Sequence, residues 1–248
     1  MSYRTVEFEI LRFQPEKDKE PWFQDYQVPC EDDWVVLDAI NHIKDHLDGT
    51  LSFRWSCHMA VCGSCGMMID GDPHLSCKTF VRDLPDKKIR IEPLANFPIE
   101  RDLVVVLDDF MEKLQRVKPY IIRKEQRPLE NGEYMQTPAQ LKKYQQYTQC
   151  INCCCCYSSC PEYALRPDFI GPAALALAHR YNQDSRDGGE RERAEVVASD
   201  EGIWDCSFAD ACSAVCPKHV DPAGAIQQMK ISATVQWYVD LLGMGKKR

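Results

Sequence analysis

Residues 150–161 read CINCCCCYSSCP, six cysteines in twelve positions. Four of them, Cys150, Cys153, Cys156 and Cys160, followed by Pro161, give C-x2-C-x2-C-x3-C-P. That is the bacterial ferredoxin run, in which three closely spaced thiolates wrap one cubane and the fourth ligates another cluster. Cys154 and Cys155 fall out of register, so their side chains are expected to point away from iron and pack as small hydrophobes.

A second run, DCSFADACSAVCP, repeats the pattern with Cys206, Cys212, Cys216 and Pro217, but Ala209 stands where the second cysteine belongs. A methyl group cannot bind iron. The simplest consequence is a cube lacking one iron, a [3Fe–4S] centre; a [4Fe–4S] centre with water or hydroxide on its fourth iron is the competing reading. With the crossover of fourth ligands, the expected sets are Cys150, Cys153, Cys156 and Cys216 for [4Fe–4S], and Cys160, Cys206 and Cys212 for [3Fe–4S].

Upstream, Cys57, Cys62, Cys65 and Cys77 are spaced C-x4-C-x2-C-x11-C. The first three match the plant-type [2Fe–2S] pattern with a distant fourth ligand. A zinc knuckle is the alternative, though zinc sites favour paired C-x2-C hooks and only one pair exists here. Gly63 and Gly66 are expected to let backbone N–H groups approach the cluster sulfides. Eleven of the fourteen cysteines are thus assigned. Cys30, Cys154 and Cys155 are read as non-ligands.

The 248 residues suit one large or two ordinary domains. A net charge of −8 argues against nucleic acid as a partner. The start lacks a secretory or twin-arginine signal, and no run reaches the roughly 18 apolar residues of a membrane span. The expected location is the cytosol or a membrane's cytosolic face, where dense cysteine means metal rather than disulfide.

Val6, Phe8 and Ile10 alternate with polar residues like a half-buried strand. Val36, Ile40, Ile43 and Leu47 recur at helical spacing, with Gly49 as a stop. Gly66–Ile69 runs into an Asp70-Gly71 hairpin turn, and Lys88–Glu92 alternates again. From about residue 103 the pattern is helical, with Val106, Phe110, Leu114 and Val117 on one face. Residues 118–137 read as a connection, Gly171-Pro172 opens a helix, 184–202 is charged and exposed, and Asp221-Pro222 caps a further helix. No flavin or nucleotide motif occurs. Three clusters in one chain imply a one-electron relay whose ends lie on other chains. A soluble multi-cluster shuttle is the competing function.

The order of motifs resembles the iron–sulfur subunit of succinate dehydrogenase and quinol:fumarate reductase. So do FRWSCHMAVCGSCGM, EPLANFPIERDLVV, IGPAALALAHRYNQDSRD and CPKHVDPAGAIQQ. The resemblance runs from the first strand to about residue 230. It implies an α+β chain: an N-terminal β-grasp plant-type ferredoxin domain, residues 1–103, and a helical dicluster ferredoxin domain, residues 104–248. It implies a flavoprotein partner with covalent FAD and the dicarboxylate site, one or two membrane-anchor subunits, and a peripheral place on the cytoplasmic side of the bacterial inner membrane. Pro161 follows a [3Fe–4S] ligand as in the family. Leu165 and Ser207 replace the Trp and His of ubiquinone-linked members, which resembles the menaquinone-linked fumarate reductases. In that group a Gln and a Lys reach the quinone, and Gln227 and Lys230 match them, spaced i, i+3 on one helix face. The C-terminal stretch, with Trp237, Tyr238 and Leu241 near three basic residues, suits a place against the anchor or lipid headgroups; an ordinary packed helix with a soluble tail is the alternative of equal weight.

Overall fold

In a computed structural model of the chain, residues 3–85 and 88–243 are described. The chain forms two compact units, one of Met1–Leu107 with Ile151–Ser159, the other of Asp108–Cys150 with Cys160–Arg248. Most of the ferredoxin run therefore groups with the N-terminal unit.

The first unit is a mixed five-stranded sheet carrying one helix, a β-grasp arrangement. Its strands are β1 (Tyr3–Arg12), β2 (Trp22–Glu31), β3 (Gly66–Ile69), β4 (Asp72–Leu75) and β5 (Ile89–Glu92), in the order β2-β1-β5-β3-β4. β1 and β5 are parallel and every other pair is antiparallel. The inward positions Val6, Phe8, Ile10, Tyr26, Val28, Ile89 and Ile91 are buried and pack on Val36, Ala39 and Ile40 of α1 (Val36–His42). Burying such side chains stabilises the unit by roughly 1.5–3 kcal/mol each.

The helix runs on to Leu47 as expected, but its last turn changes form. Residues Ile43–Leu47 form a wider π-helical turn, which rotates Leu47 off the packed face to 50% exposure. Extended Asp48, not Gly49, ends it. The reason is a buried polar knot under the sheet. Arg12 donates to Asp102, Tyr26, Asp48 and Thr50. Asp102 is fully buried and also accepts from the backbone of Phe13 (2.9 Å) and Ser52 (2.8 Å). Burial opposes ionisation of Asp48, but hydrogen bonds from Thr50, Arg12 and Tyr26 outweigh it and hold the carboxyl far below its usual range.

A second difference follows at the unit's end. Val104–Val105 is not helical: it pairs as β7 with β6 (Ile99–Arg101), and the helix begins only at α2 (Asp108–Arg116). β-Branched residues fit an extended pair better than a first helical turn. Phe110, Leu114 and Val117 are buried as expected, whereas Val106 is only half-buried.

The second unit is helical. After α3 (Pro138–Lys142) and, in the first unit, α4 (Cys155–Ser158), come α5 (Pro161–Leu165), α6 (Pro172–Asn182), α7 (Glu190–Val197), α8 (Ala211–Ala214) and α9 (Pro222–Leu241). Asp221 caps α9 by accepting from Gly224 N at 2.8 Å and from the Ser213 hydroxyl at 2.7 Å. The reading of 184–202 as exposed is corrected at five positions: Asp184, Gly189, Arg193, Val197 and Gly202 are buried. Arg193 grips Asp187 through two bonds of 2.7 and 2.9 Å and ties down the carbonyls of Lys118 and Tyr120. A buried guanidinium whose protons find carboxylate and carbonyl acceptors holds the connecting segment in place.

Replacing Asp102 by Ala leaves a buried guanidinium short of one counter-ion and orphans two buried amides. The expected loss is about 3 kcal/mol, measured as a faster rate of cluster bleaching in denaturant relative to the unaltered protein.

Candidate electron-relay centres

The first cysteine group lies on a loop whose backbone is wound to present N–H groups. His58, Ala60 and Gly63 all have positive φ (55°, 55° and 74°), conformations that turn successive amides toward one concave side. Cys57 Sγ accepts from Met59 N (3.4 Å), Val61 N (3.4 Å) and Cys62 N (3.3 Å), and Cys77 Sγ accepts from Ala60 N (3.3 Å). These amides, Met59 foremost, draw the Cys57 thiol down to about 6. Burial instead pushes the Cys77 thiol up to about 12. The loop thus offers a thiolate stabilised by backbone dipoles, the donor set an iron–sulfur core requires. Cys65 and Cys77 are buried, while Cys62 lies on the surface beside exposed Trp55, Met59 and Val61.

Gly63 and Gly66 serve a closer approach than the one expected of them. A Cβ on Gly63 would stand 2.6 Å from Ile151 O and 3.0 Å from Cys153 Cα; one on Gly66 would stand 2.9 Å from Cys153 O. The first cysteine loop therefore lies directly against the start of the ferredoxin run. Asn96 fastens the same contact, donating from Nδ2 to the carbonyls of Tyr157 (3.0 Å) and Ser158 (3.1 Å). Sequence reasoning passed over Asn96; its positive φ of 67° is the kind of position Asn tolerates.

The two ferredoxin runs share one backbone. Asn152 and Cys154 are left-handed (54° and 64°), and so are Phe208 and Asp210 (64° and 60°). Each pair flanks one residue, Cys153 in the first run and Ala209 in the second. Each is followed by a one-turn helix, α4 or α8. Ala209 thus occupies the position that Cys153 holds in the first run.

In the second unit, Cys160, Cys206 and Cys212 line one cavity of about 320 Å³, mouth included, together with Pro161, Phe169, Phe208, Ala209 and Ile226. Burial raises the Cys160 thiol, and burial with the nearby Cys160 sulfur pushes Cys212 up to about 12. Thiols so placed are unfavourable as bare anions and are suited to sharing charge with a metal core. Cys150 and Cys216 both rest on the cluster of Tyr144, Tyr147, Ala176, Val220 and Ala225, and Cys216 Sγ accepts from Val220 N at 3.3 Å. Among the described residues, no three Cys, His, Asp or Glu side chains close on a point as the ligands of a single ion do.

The surplus cysteines behave differently. Cys30 is fully buried in the sheet core and its thiol is pushed up to about 11 by burial. Cys154 donates its S–H to Asn152 O at 3.6 Å. Cys155 is fully buried, the setting of a small packed side chain.

Pro161 lines the 320 Å³ cavity. Lys230, on α9, donates from Nζ to Cys206 O at 2.7 Å. Gln227 has its Nε2 buried without a hydrogen-bond partner. Leu165 and Ser207 are both exposed. The three basic residues of the C-terminal stretch lie outside the described residues, and Trp237 and Tyr238 are exposed on α9. Among the described residues, no helix is long and apolar enough to cross a membrane.

Comparison with known proteins completes this picture. Residues 7–112 match a 2Fe-2S iron-sulfur cluster binding domain and residues 146–220 a 4Fe-4S dicluster domain. The chain is 54% identical to the fumarate reductase iron-sulfur subunit of Mycobacterium tuberculosis, over 96% of both chains. It is 51% identical to that of Escherichia coli O157:H7, over 96% of this chain and 97% of the other. The succinate dehydrogenase iron-sulfur subunit of Coxiella burnetii is 39% identical over 90% and 94%. A chain of the Mycobacterium smegmatis Sdh1 complex superposes with a TM-score of 0.86 at 26% identity, over 96% of this chain and 98% of that one. With two amide-lined sulfur loops, a thiol cavity and likeness along nearly its whole length, the chain belongs to the iron–sulfur subunits of fumarate reductase and succinate dehydrogenase, the electron-transferring members of those enzymes.

Proposed function

We propose that this chain relays electrons between a flavoprotein carrying covalent FAD and a quinone, of the menaquinone type, within a membrane-bound succinate:quinone or quinol:fumarate oxidoreductase. When bound, the [2Fe–2S], [4Fe–4S] and [3Fe–4S] clusters each take up and release one electron at a time. Cys57, Cys62, Cys65 and Cys77 would hold the first, Cys150, Cys153, Cys156 and Cys216 the second, and Cys160, Cys206 and Cys212 the third, in domains of residues 1–103 and 104–248. The observation that carries the reading is Ala209 between two left-handed residues, on the cavity wall shared by three thiols.

The chain's own residues do three things. The left-handed loops aim amides at sulfur, which offsets negative charge where the surroundings are largely apolar. Gly63 and Gly66 permit the two cysteine loops of the first unit to touch, which keeps the distance between relay points short. Lys230, held on Cys206 O, and Gln227, one turn earlier on α9 with its buried Nε2 unpartnered, offer donors suited to a quinone oxygen next to the Pro161 cavity.

Two exposed apolar regions support the partners. Trp55, Met59 and Val61 surround the first cysteine loop and suit a flavoprotein. Ile231, Val235, Trp237 and Leu241 on the outer half of α9 suit one or two anchor subunits, with the chain held peripherally on the cytoplasmic side of the bacterial inner membrane.

Electron paramagnetic resonance of the purified complex during a redox titration is expected to show three centres, one of them paramagnetic when oxidised. Ala209→Cys should abolish that oxidised signal and raise iron from about nine per chain to about ten; an unchanged signal refutes the assignment of position 209. Lys230→Leu should lower quinol-driven fumarate reduction at least about tenfold while leaving reduction by a soluble viologen dye unchanged. Gly63→Ala, which pushes a Cβ into Ile151 O at a left-handed position, should cost about 2 kcal/mol and slow reduction of the second centre in rapid-freeze experiments.

A further inference from the structure

Two arginines and one buried carboxylate of the second unit meet on the side chain of Tyr144. The Asp184 side chain has no exposed surface, and Arg186 grips it through two bonds, Nε to Oδ1 at 2.9 Å and Nη2 to Oδ2 at 2.8 Å. Arg180, four residues earlier on α6, reaches the same carboxylate from Nη1 at 3.3 Å. Burial opposes ionisation of Asp184, but hydrogen bonds and charge from Arg186, aided by Arg180, outweigh it and hold the carboxyl down at about 2. Among the described residues, neither guanidinium has another carboxylate within ion-pair distance, so two positive charges share one negative. Tyr144 itself is buried. The guanidinium carbon of Arg180 stands 4.7 Å from the centre of its ring. Arg186 donates to its hydroxyl at 3.1 Å, and that hydroxyl donates to Gln136 at 2.6 Å. Tyr144 in turn belongs to the apolar cluster on which Cys150 and Cys216 rest.

We infer that Arg180 and Arg186 are positioning residues for the relay: with Asp184 they fix one uncompensated positive charge against Tyr144, which raises the electron affinity of the centre that Cys150 and Cys216 help to hold. The inference rests on the proposed role of those two cysteines as ligands. Reduction adds one negative charge to a centre, and a fixed cation stabilises the reduced state more than the oxidised one. The charge is not screened out as it would be at the surface, because Tyr144, Tyr147, Ala176, Val220 and Ala225 are buried together. A guanidinium suits the place. It stacks on aromatic faces and is more weakly hydrated than an ammonium, and that of Arg180 also stands 4.0 Å from the centre of the Tyr181 ring. No covalent bond forms or breaks, and both arginines keep their protons throughout.

The competing account is structural: the same contacts tie Gln136 to the end of α6, and their loss would matter for stability alone. Two variants of opposite sign separate the accounts in the intact membrane complex. Redox titration of the second centre with Arg180→Gln is expected to show about a fivefold loss in its one-electron equilibrium, about 41 mV lower. Asp184→Asn removes the negative charge and should shift the same equilibrium about fivefold the other way. Arg180→Lys keeps the charge and should stay within about twofold of the unaltered protein. Shifts of the same sign in the Gln and Asn variants, or no shift in either, overturn the inference. If Asp184→Asn disturbs assembly, Arg186→Gln takes its place and should lower the potential while Arg186→Lys restores it; equal potentials in that pair overturn the inference too. Cys150→Ser tests the underlying reading separately: unchanged iron and unchanged potentials there would remove Cys150 from the ligand set, whatever position 180 does.

Discussion

Sulfur anions in a poorly solvated setting need compensating positive charge, and in this chain the backbone supplies much of it. A chain with a net charge of −8 has no surplus of basic side chains to lend. The visible donors to Cys57, Cys77 and Cys216 are main-chain amides. Around Cys57 and Cys77 they are aimed where the chain turns through left-handed conformations, at His58 and Ala60, and the same conformations recur at Asn152, Cys154, Phe208 and Asp210. For residues with a side chain these conformations cost about 1–3 kcal/mol each when unsupported. They persist because neighbouring contacts leave no alternative: Asn96 on the carbonyls of Tyr157 and Ser158, Lys230 on that of Cys206, and the glycine-permitted contact between the first loop and Ile151.

One loop shape recurs in the two runs with different residues at its centre. Cys153 and Ala209 sit between equivalent left-handed neighbours, so the difference between them is chemical and not architectural. On the proposed ligand sets, one changed side chain would complete the second run without rebuilding the loop. The same reasoning separates the cysteines into two kinds. Cys57, Cys77 and Cys216 accept from amides, whereas Cys154 gives its proton to a carbonyl and Cys30 sits in hydrocarbon.

Much of this was legible before any coordinates. Period-two alternation located β1 and β5, Asp70-Gly71 marked the hairpin, and Asp221-Pro222 marked the start of α9, because each of these signals is local. The misread places are those where a distant partner overrides a local pattern. Leu47 keeps helical spacing, yet the demands of Arg12 and Asp48 widen the last turn and expose it. Arg193 sits in a run of charges that looks solvated, but Asp187 and two carbonyls enclose it. Asn96 was invisible for the same reason: its meaning lies in the carbonyls of Tyr157 and Ser158, some sixty residues away.

The hairpin of β3 and β4 shows why the fourth cysteine of the first group stands at a fixed distance from the third. Asp70 and Gly71, both at positive φ (52° and 91°), close the tightest kind of turn, and Gly66 pairs with Leu75 across it. Cys65 stands just before this ladder and Cys77 two residues after it, and both are buried. The eleven residues between them act as a folded ruler. Adding a single residue to either strand would flip every later side chain to the opposite face, so natural length changes here must come two at a time or not at all.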